Sequence, residues 1–213
     1  FTSPANEDFP QAEKFTQWPG TGKMGDPIMD AFTRTQVQYI GATQAKLTID
    51  ANTALLDLID GPVILLTHSQ GGRFGWSIAD ERPDNIKAIV TVEPSSPPIR
   101  SVDSAKVAYR ESGGLAWGVG NVPITYDPPI SDPSELQVEL QNEAEGENLI
   151  ACYRQKEPAR KLPNLQNIPV LFLNGEGGYH RIFDHCLANW LNQAGVSTEY
   201  VRLEEVGLPG NGH

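Results

Sequence analysis

One stretch of the chain, residues 61–72, places the strongest constraint on the fold. Residues 63–67 are apolar and mostly branched, Ser69 follows between His68 and Gln70, and a segment compatible with a helix begins after two glycines. The pattern predicts a buried strand, a sharp turn and then a helix. This order is typical of a nucleophile elbow, in which a serine hydroxyl is held at the tip of a strained turn.

Short apolar runs recur along the chain and predict the strands of one sheet. They cover residues 63–67, 88–92, 170–173 and 198–203. Helical patterns follow the first and third runs, and the second of these patterns covers 180–194. Before the first run, residues 30–60 are expected to be mostly helical, with Asp30 as the cap of a first helix and a second helix over 53–59. Buried strands that alternate with helices indicate a parallel sheet covered on both faces. The fold class expected is therefore α/β.

Residues 95–166 interrupt this alternation. They are rich in proline and contain helical patterns near 134–143 and 147–155. A long insertion at this point is expected to form a cap or lid over an active site, and a loop with a purely structural role is the alternative. We therefore predict a core domain over 1–94 and 167–213, with the cap between them.

The residues that follow the predicted strands can supply the groups of a nucleophilic mechanism. A serine hydroxyl needs a base to take its proton, and His213, in a Gly/Pro loop after the last predicted strand, is the candidate base. Glu93 directly follows the second strand and is the preferred acid, because a carboxylate there can accept from the histidine Nδ1 and stabilise the imidazolium. Glu176 is the alternative acid, and a structural strand-end role for Glu93 also stays open.

Further residues are assigned around this candidate triad. The backbone N–H of Gln70, at the start of the helix, is the predicted oxyanion donor. A second donor is expected from strands that precede the chain, with residues 15–24 as a weaker source. His68, Trp117 and Tyr126 are predicted substrate-binding residues, and a packing role is the alternative for each.

Charge and apolar patterning exclude several partners. The formal net charge of -11 disfavours nucleic acid and anionic membrane surfaces. No apolar run approaches the ~18 residues of a membrane span, and no signal-peptide pattern is recognised. We expect neither a nucleic-acid partner nor a membrane span, and we expect a secreted protein.

Two groups of residues bear on redox and metal chemistry. Cys152 and Cys186 are compatible with one disulfide or with two buried thiols. His180, Asp184 and His185 have the identities of metal ligands, but their spacing places the two histidines on different faces of a helix. No metal site and no cofactor is therefore predicted.

Three motifs together resemble an atypical group of α/β-hydrolase esterases. They are Thr-His-Ser-Gln-Gly at 67–71, Val-Thr-Val-Glu-Pro-Ser at 90–95 and Val-Gly-Leu-Pro-Gly-Asn-Gly-His at 206–213. In that group the nucleophile lies in a His-Ser-Gln context, the acid is a Glu after the next strand, and the base lies in a Gly-Asn-x-His loop. The resemblance implies a three-layer α/β-hydrolase sandwich with Ser69 as nucleophile, Glu93 as acid and His213 as base.

The resemblance also sets what is expected of the whole protein. Ser69 comes early in the chain, so we expect the N-terminal strands of the sheet to come from an N-terminal fragment or a second chain. In many α/β-hydrolases the acid follows the third predicted strand in a Gly-x-x-Asp loop, and the equivalent position here is Gly178. The predicted function is a serine esterase that cleaves a small-molecule carboxylic ester through an acyl-enzyme. A lactonase, an acyltransferase or a non-catalytic binding module are the alternatives.

Overall fold

A parallel sheet is the centre of the molecule, for which a computed structural model describes residues 9–36 and 44–213. Within these residues the strands are β1 (Val63–His68), β2 (Ile86–Val92), β3 (Val102–Asp103), β4 (Ala108–Tyr109), β5 (Val138–Leu140), β6 (Tyr153–Gln155), β7 (Val170–Asn174) and β8 (Thr198–Arg202). The central sheet has the order β1-β2-β7-β8, and its neighbours all pair in parallel. The predicted α/β class with a mostly parallel sheet is confirmed, and the sheet with its flanking helices is consistent with an α/β-hydrolase fold.

The helices of the described residues are α1 (Pro27–Arg34), α2 (Gln44–Leu58), α3 (Gly72–Glu81) and α4 (Asp184–Gln193). Helix α1 begins earlier than predicted because Asp26, not Asp30, is its cap and accepts from the N–H of Ile28 at 2.8 Å. Helix α2 begins before the predicted residue 53, and residues 37–43 lie outside the described part. Helix α3 packs on α2, β1 and β2, while α4 packs on β6 and β8.

The register of the sheet aligns the carboxyl ends of its strands. His68 at the end of β1 pairs with Val92 at the end of β2, and Val92 pairs with Leu173 of β7. The residues that follow these strands therefore leave the sheet at the same edge. In open parallel sheets this edge is where ligands bind.

Strand β1 is the edge of the described sheet. It pairs with β2 on one side, and the side chains of Ile64 and Leu66 are 62% and 69% exposed. The expectation of further strands beyond β1 stays a prediction.

The predicted cap region contains two small hairpins, β3–β4 and β5–β6. The prediction of helices near 134–143 and 147–155 was wrong. These segments contain β5 and β6, which pair with each other, and the helical structure described near β5 is a single 3₁₀ turn, Pro133–Glu135. Buried apolar side chains of this region, including Leu115, Leu162 and Leu165, lie in the same core cluster as those of the sheet. Its role as a cap stays a prediction.

Of the two alternatives for the cysteines, the structure has the disulfide. Cys152 and Cys186 are bonded with their Cα atoms 5.1 Å apart, which joins the start of β6 to α4. None of the helices in the described ranges combines the length and apolar character needed to cross a bilayer.

Candidate active site

Ser69 lies on the sharp turn that the sequence predicts. Strand β1 ends at His68, and Ser69 opens a short 3₁₀ turn that leads into α3. Its φ of 51° lies in the left-handed region, which costs a non-glycine residue on the order of 1–3 kcal/mol. Backbone strain at the residue that carries a half-buried hydroxyl is typical of a functional turn.

The turn after β2 holds the serine turn in place. The N–H of Ser95 donates to the carbonyl oxygen of Ser69 at 2.8 Å. Gly72 lies so close to Pro94 that a Cβ at this glycine would overlap the proline ring. The glycine therefore allows the start of α3 to approach the acid-bearing turn.

His213 links the serine to the carboxylate. Its Nε2 lies 2.7 Å from Ser69 Oγ, and its Nδ1 lies 2.5 Å from Glu93 Oε2. In the tautomer that satisfies both contacts, Nδ1–H donates to Glu93 and Nε2 accepts from the hydroxyl. The structure thus brings together the three residues that the sequence predicts as a triad, in the geometry of a base between a nucleophile and an orienting carboxylate.

The loop that carries His213 is anchored through its backbone. The N–H of Gly177 donates to Asn211 O at 2.7 Å, and the N–H of Gly210 donates to Glu176 Oε2 at 3.0 Å. Glu176, the alternative acid, therefore binds the backbone of this loop. Thr16 adds a third anchor, because its N–H donates to Gly210 O at 2.9 Å.

The carboxylate of Glu93 occupies the space that the Cβ of an Asp at position 178, the acid of a Gly-x-x-Asp loop, would fill. A Cβ at Gly178 would overlap the carboxylate of Glu93, whose Oε1 accepts from the N–H of Gly175 at 2.8 Å. Glu93 itself has a φ of 44° and is 1% exposed. The carboxylate thus reaches this position from β2, and a side chain at 178 would exclude it.

The surroundings of Glu93 favour its ionised form. Burial raises the pKa of this carboxyl, but the hydrogen bonds from His213 and from the N–H of Gly175 favour the charged form, and the pKa lies below its usual value. The acid is therefore a carboxylate at neutral pH, as a partner of an imidazolium must be.

The imidazole of His213 is surrounded by other rings. His68 lies 4.8 Å away between ring centroids, Tyr179 lies 4.9 Å away, and His180 is stacked at 4.7 Å with an interplanar angle of 4°. His68 is exposed beside the serine, and its role in substrate binding stays a prediction. Burial chiefly lowers the pKa of His68, and the neighbouring His213 lowers it further.

The sequence reasoning missed a second row of residues behind the triad. His180 Nδ1 lies 2.9 Å from Asp184 Oδ1, and Asn174 Nδ2 donates to Asp184 Oδ2 at 3.1 Å and lies 3.5 Å from Glu93 Oε1. The four-residue spacing of His180 and Asp184 in the sequence also fits a hydrogen-bonded pair on one helical turn, which was one available signal. The position of Asn174, directly after an apolar strand, was the other available signal.

The structure does not bring Trp117 and Tyr126 to the triad. Both side chains are buried in the main core, and Tyr126 Oη donates to the carbonyl of Trp117 at 2.8 Å while accepting from Trp190. Gln70 follows the nucleophile as predicted, and its side-chain amide donates to Gln44 at 3.3 Å. The oxyanion role of its backbone N–H stays a prediction.

One group of potential metal ligands lies in the described part of the chain. It consists of Cys152, Cys186 and His185. The two sulfurs are joined in the disulfide, and His185 Nε2 donates to Ile150 O at 3.2 Å. His185 and His180 therefore have different partners.

Comparison with known proteins finds similarity to two proteins named lipases. No protein-family model matches the chain. A probable secreted lipase named phiG from a fungal species is 41% identical over 216 aligned residues, which cover 100% of this chain and 57% of the relative. Lipase LipV of Mycobacterium tuberculosis is 31% identical over 100 residues, covering 45% of this chain and 33% of that protein. The similarities support an α/β-hydrolase-type superfamily.

Two solved structures are also similar to this chain. A novel bacterial esterase matches 87% of the chain and 43% of its own length, with 20% identity and a TM-score of 0.47. The monoacylglycerol lipase of Paleococcus ferrophilus matches 74% of the chain and 65% of its own length, with 18% identity and a TM-score of 0.36. The chain spans little more than half the length of the fungal relative, at 57%.

Proposed function

We propose that this α/β-hydrolase-type chain is a serine hydrolase of carboxylic esters. Ser69 is the nucleophile, His213 the general base and Glu93 the acid. The observation that carries the proposal is the continuous contact from Glu93 through His213 to Ser69, at 2.5 Å and 2.7 Å, with the serine on a strained turn. The lipase names of two relatives support the same reaction class.

The proposed reaction has two halves. In acylation His213 Nε2 takes the proton of Ser69 as Oγ attacks the ester carbonyl, and it then gives that proton to the leaving alcohol. In deacylation the same nitrogen takes a proton from water as the water oxygen attacks the acyl carbon. Nε2 then returns that proton to Ser69 Oγ as its bond to the acyl group breaks, which releases the carboxylic acid. Glu93 remains ionised throughout and stabilises the imidazolium. The backbone N–H of Gln70, at the N-terminal end of α3, stabilises the oxyanion.

The proposed substrate is a small-molecule carboxylic ester, and the proposed location is extracellular. One relative is named a probable secreted lipase, which supports both statements. The disulfide between Cys152 and Cys186 supports an oxidising compartment, because such bonds are rare where thiols are kept reduced.

We propose further that an additional strand, from an N-terminal fragment or a second chain, pairs with β1 in the working enzyme. The position of β1 supports this, since within the described residues it is a long strand at the edge of the sheet and pairs with β2 on one side. Hydrogen exchange of the β1 amides in the full-length protein tests it. Protection equal to that of β2 is the expected result, and rapid exchange along β1 would contradict it.

The experiment that tests the function is labelling of the full-length protein with a fluorophosphonate probe, followed by peptide mapping. The expected adduct is on Ser69, and it should be lost in both Ser69→Ala and His213→Ala. Ser77→Ala, which removes a buried hydroxyl from α3, is the matched control and should label normally. A folded protein with no adduct on Ser69 would overturn the proposal and favour a binding module.

Product analysis then separates the enzymes that share this triad. Hydrolysis of open-chain esters to acid and alcohol is the expected outcome. Preferred opening of cyclic esters would favour a lactonase, and transfer of the acyl group to an added alcohol at the expense of water would favour an acyltransferase.

A further inference from the structure

A fully buried histidine is stacked against the ring of the proposed base, His213. His180 is 0% exposed, and its ring is nearly parallel to that of His213, with 4.7 Å between centroids. The proposed mechanism assigns no proton transfer to it. A second imidazole in this position therefore needs an account of its own.

His180 is fixed from behind by a buried polar row. Its Nδ1 bonds to Asp184, which is 0% exposed, and Asp184 also accepts from Asn174. Asn174 ends β7 and faces Glu93 with the same amide nitrogen. The row connects a rigid strand and the first turn of α4 to both the acid and the ring against which the base is stacked.

Burial shifts the pKa values of both titratable residues of the row. It lowers the pKa of His180 to about 3, and together with Glu93 it raises the pKa of Asp184 well above its usual value. Glu93, His68, Tyr179 and His180 are the titratable groups that face His213, with Asp184 behind the last of them. Within this group Glu93 is the carboxylate that contacts the base, through His213 Nδ1.

We propose that His180 is a positioning residue for His213, and the proposal rests on the serine-hydrolase function given above. Its flat ring, stacked 4.7 Å from that of His213, fixes the plane of the His213 imidazole. In that plane Nδ1 meets Glu93 and Nε2 meets Ser69 at the same time. A ring that is free to tilt loses one contact when it makes the other, and a misplacement of about 1 Å costs on the order of 100-fold in rate.

The test replaces His180 and leaves the three residues of the proposed triad unchanged. His180→Leu removes the flat ring, whereas His180→Phe keeps a flat ring without the Nδ1 hydrogen bond. His185→Leu is the matched control, because His185 is also buried, at 2% exposed, and bonds to Ile150 instead of the row. Hydrolysis of p-nitrophenyl butyrate is measured with the full-length proteins, and kcat is expressed per site titrated with the fluorophosphonate probe.

His180→Leu is expected to lower kcat about 100-fold with KM within about twofold. His180→Phe should retain kcat within about fivefold and His185→Leu within about twofold, even where all three variants lower the melting temperature. The His213 Nδ1–H resonance should broaden or vanish in His180→Leu and persist in the other two. Equal kcat losses in His180→Leu and His180→Phe, or a loss shared by His185→Leu, would overturn the proposal.

The two proposals fail in different ways. A wild-type protein that is never labelled at Ser69 would remove the esterase function, and the Nδ1–H resonance would then decide on positioning alone. A labelled, active wild type with an unaffected His180→Leu variant would remove the positioning role and leave the function intact.

Discussion

Replacing Glu93 with glutamine removes one charge from a buried site and tests the assignment of the acid. The carboxylate is 1% exposed and lies 2.5 Å from His213 Nδ1. With charge centres about 4 Å apart and an effective dielectric near 20, its attraction for the imidazolium is on the order of 4 kcal/mol. At about 1.4 kcal/mol per factor of ten, kcat should fall about 1,000-fold.

The hydrogen bonds of Glu93 predict an additional effect of the substitution. Gly175 N–H donates to one carboxylate oxygen, so the amide oxygen of a glutamine is held there and its NH₂ group faces His213. An NH₂ group opposite Nδ1 stabilises the tautomer whose Nε2 carries the proton, and that nitrogen can no longer accept from Ser69. The fall in kcat should therefore be at least as large as the charge alone requires.

The assay measures kcat for the hydrolysis of p-nitrophenyl butyrate as a function of pH, in Glu93→Gln and in the control variant Glu176→Gln. In that control the amide oxygen can still accept from the N–H of Gly210, so kcat should remain within about twofold of the wild type. A loss of less than about tenfold in Glu93→Gln, or a larger loss in Glu176→Gln, would refute the reasoning and return Glu176 as the acid.

Three further predictions concern stability. Gly72→Ala introduces a Cβ that overlaps Pro94, so the free energy of unfolding measured in urea should fall by about 3 kcal/mol. In the control Gly71→Ala the new Cβ meets nothing within 4 Å, and the change should stay within about 0.5 kcal/mol. Equal effects of the two substitutions would contradict the packing argument. Opening the disulfide with Cys186→Ser, which frees a loop of 34 residues, should cost about 3.8 kcal/mol of unfolding free energy by the chain-entropy relation, and a melting temperature unchanged by the substitution would refute this. Because burial lowers the pKa of His180 from 6.5 to about 3, the unfolded chain takes up a proton below about pH 6.5 that the folded state refuses. The free energy of unfolding should consequently fall by about 1.4 kcal/mol per pH unit between about pH 6 and 4 on account of this residue, and His180→Phe should lose that slope.

The parts of the fold that the sequence predicts well are those set by local apolar pattern. The runs at 63–67 and 88–92 are apolar and mostly branched, and they form β1 and β2, which pair in parallel. The prediction that the first of these strands is buried was wrong in part, because Ile64 and Leu66 of β1 are exposed. Parallel pairing then brings Ser69 and Glu93 to one edge without any knowledge of tertiary contacts. The meeting of these residues with His213 follows from the order of strands.

The parts that the sequence could not predict depend on contacts between distant residues. Val138 and Gln155 form a pair of β5 and β6, and nothing within either short segment signals a strand against the helical pattern that both display. In the same way, Leu55 has the spacing of an inward residue of α2 but is 52% exposed. The four-residue spacing of His180 and Asp184 can be read from the sequence, but the place of His180 beside His213 depends on stacking between separate loops.

The triad joins residues that are far apart along the chain, and this separation sets when the site can exist during folding. His213 contacts Glu93 across 120 residues and Ser69 across 144. Contacts between residues this far apart in sequence form late and slowly, because β1, β2 and β7 must be in register before the three side chains can meet. Reactivity of Ser69 toward a covalent probe therefore reports completion of the whole sheet, and its time course during refolding measures the last step of assembly.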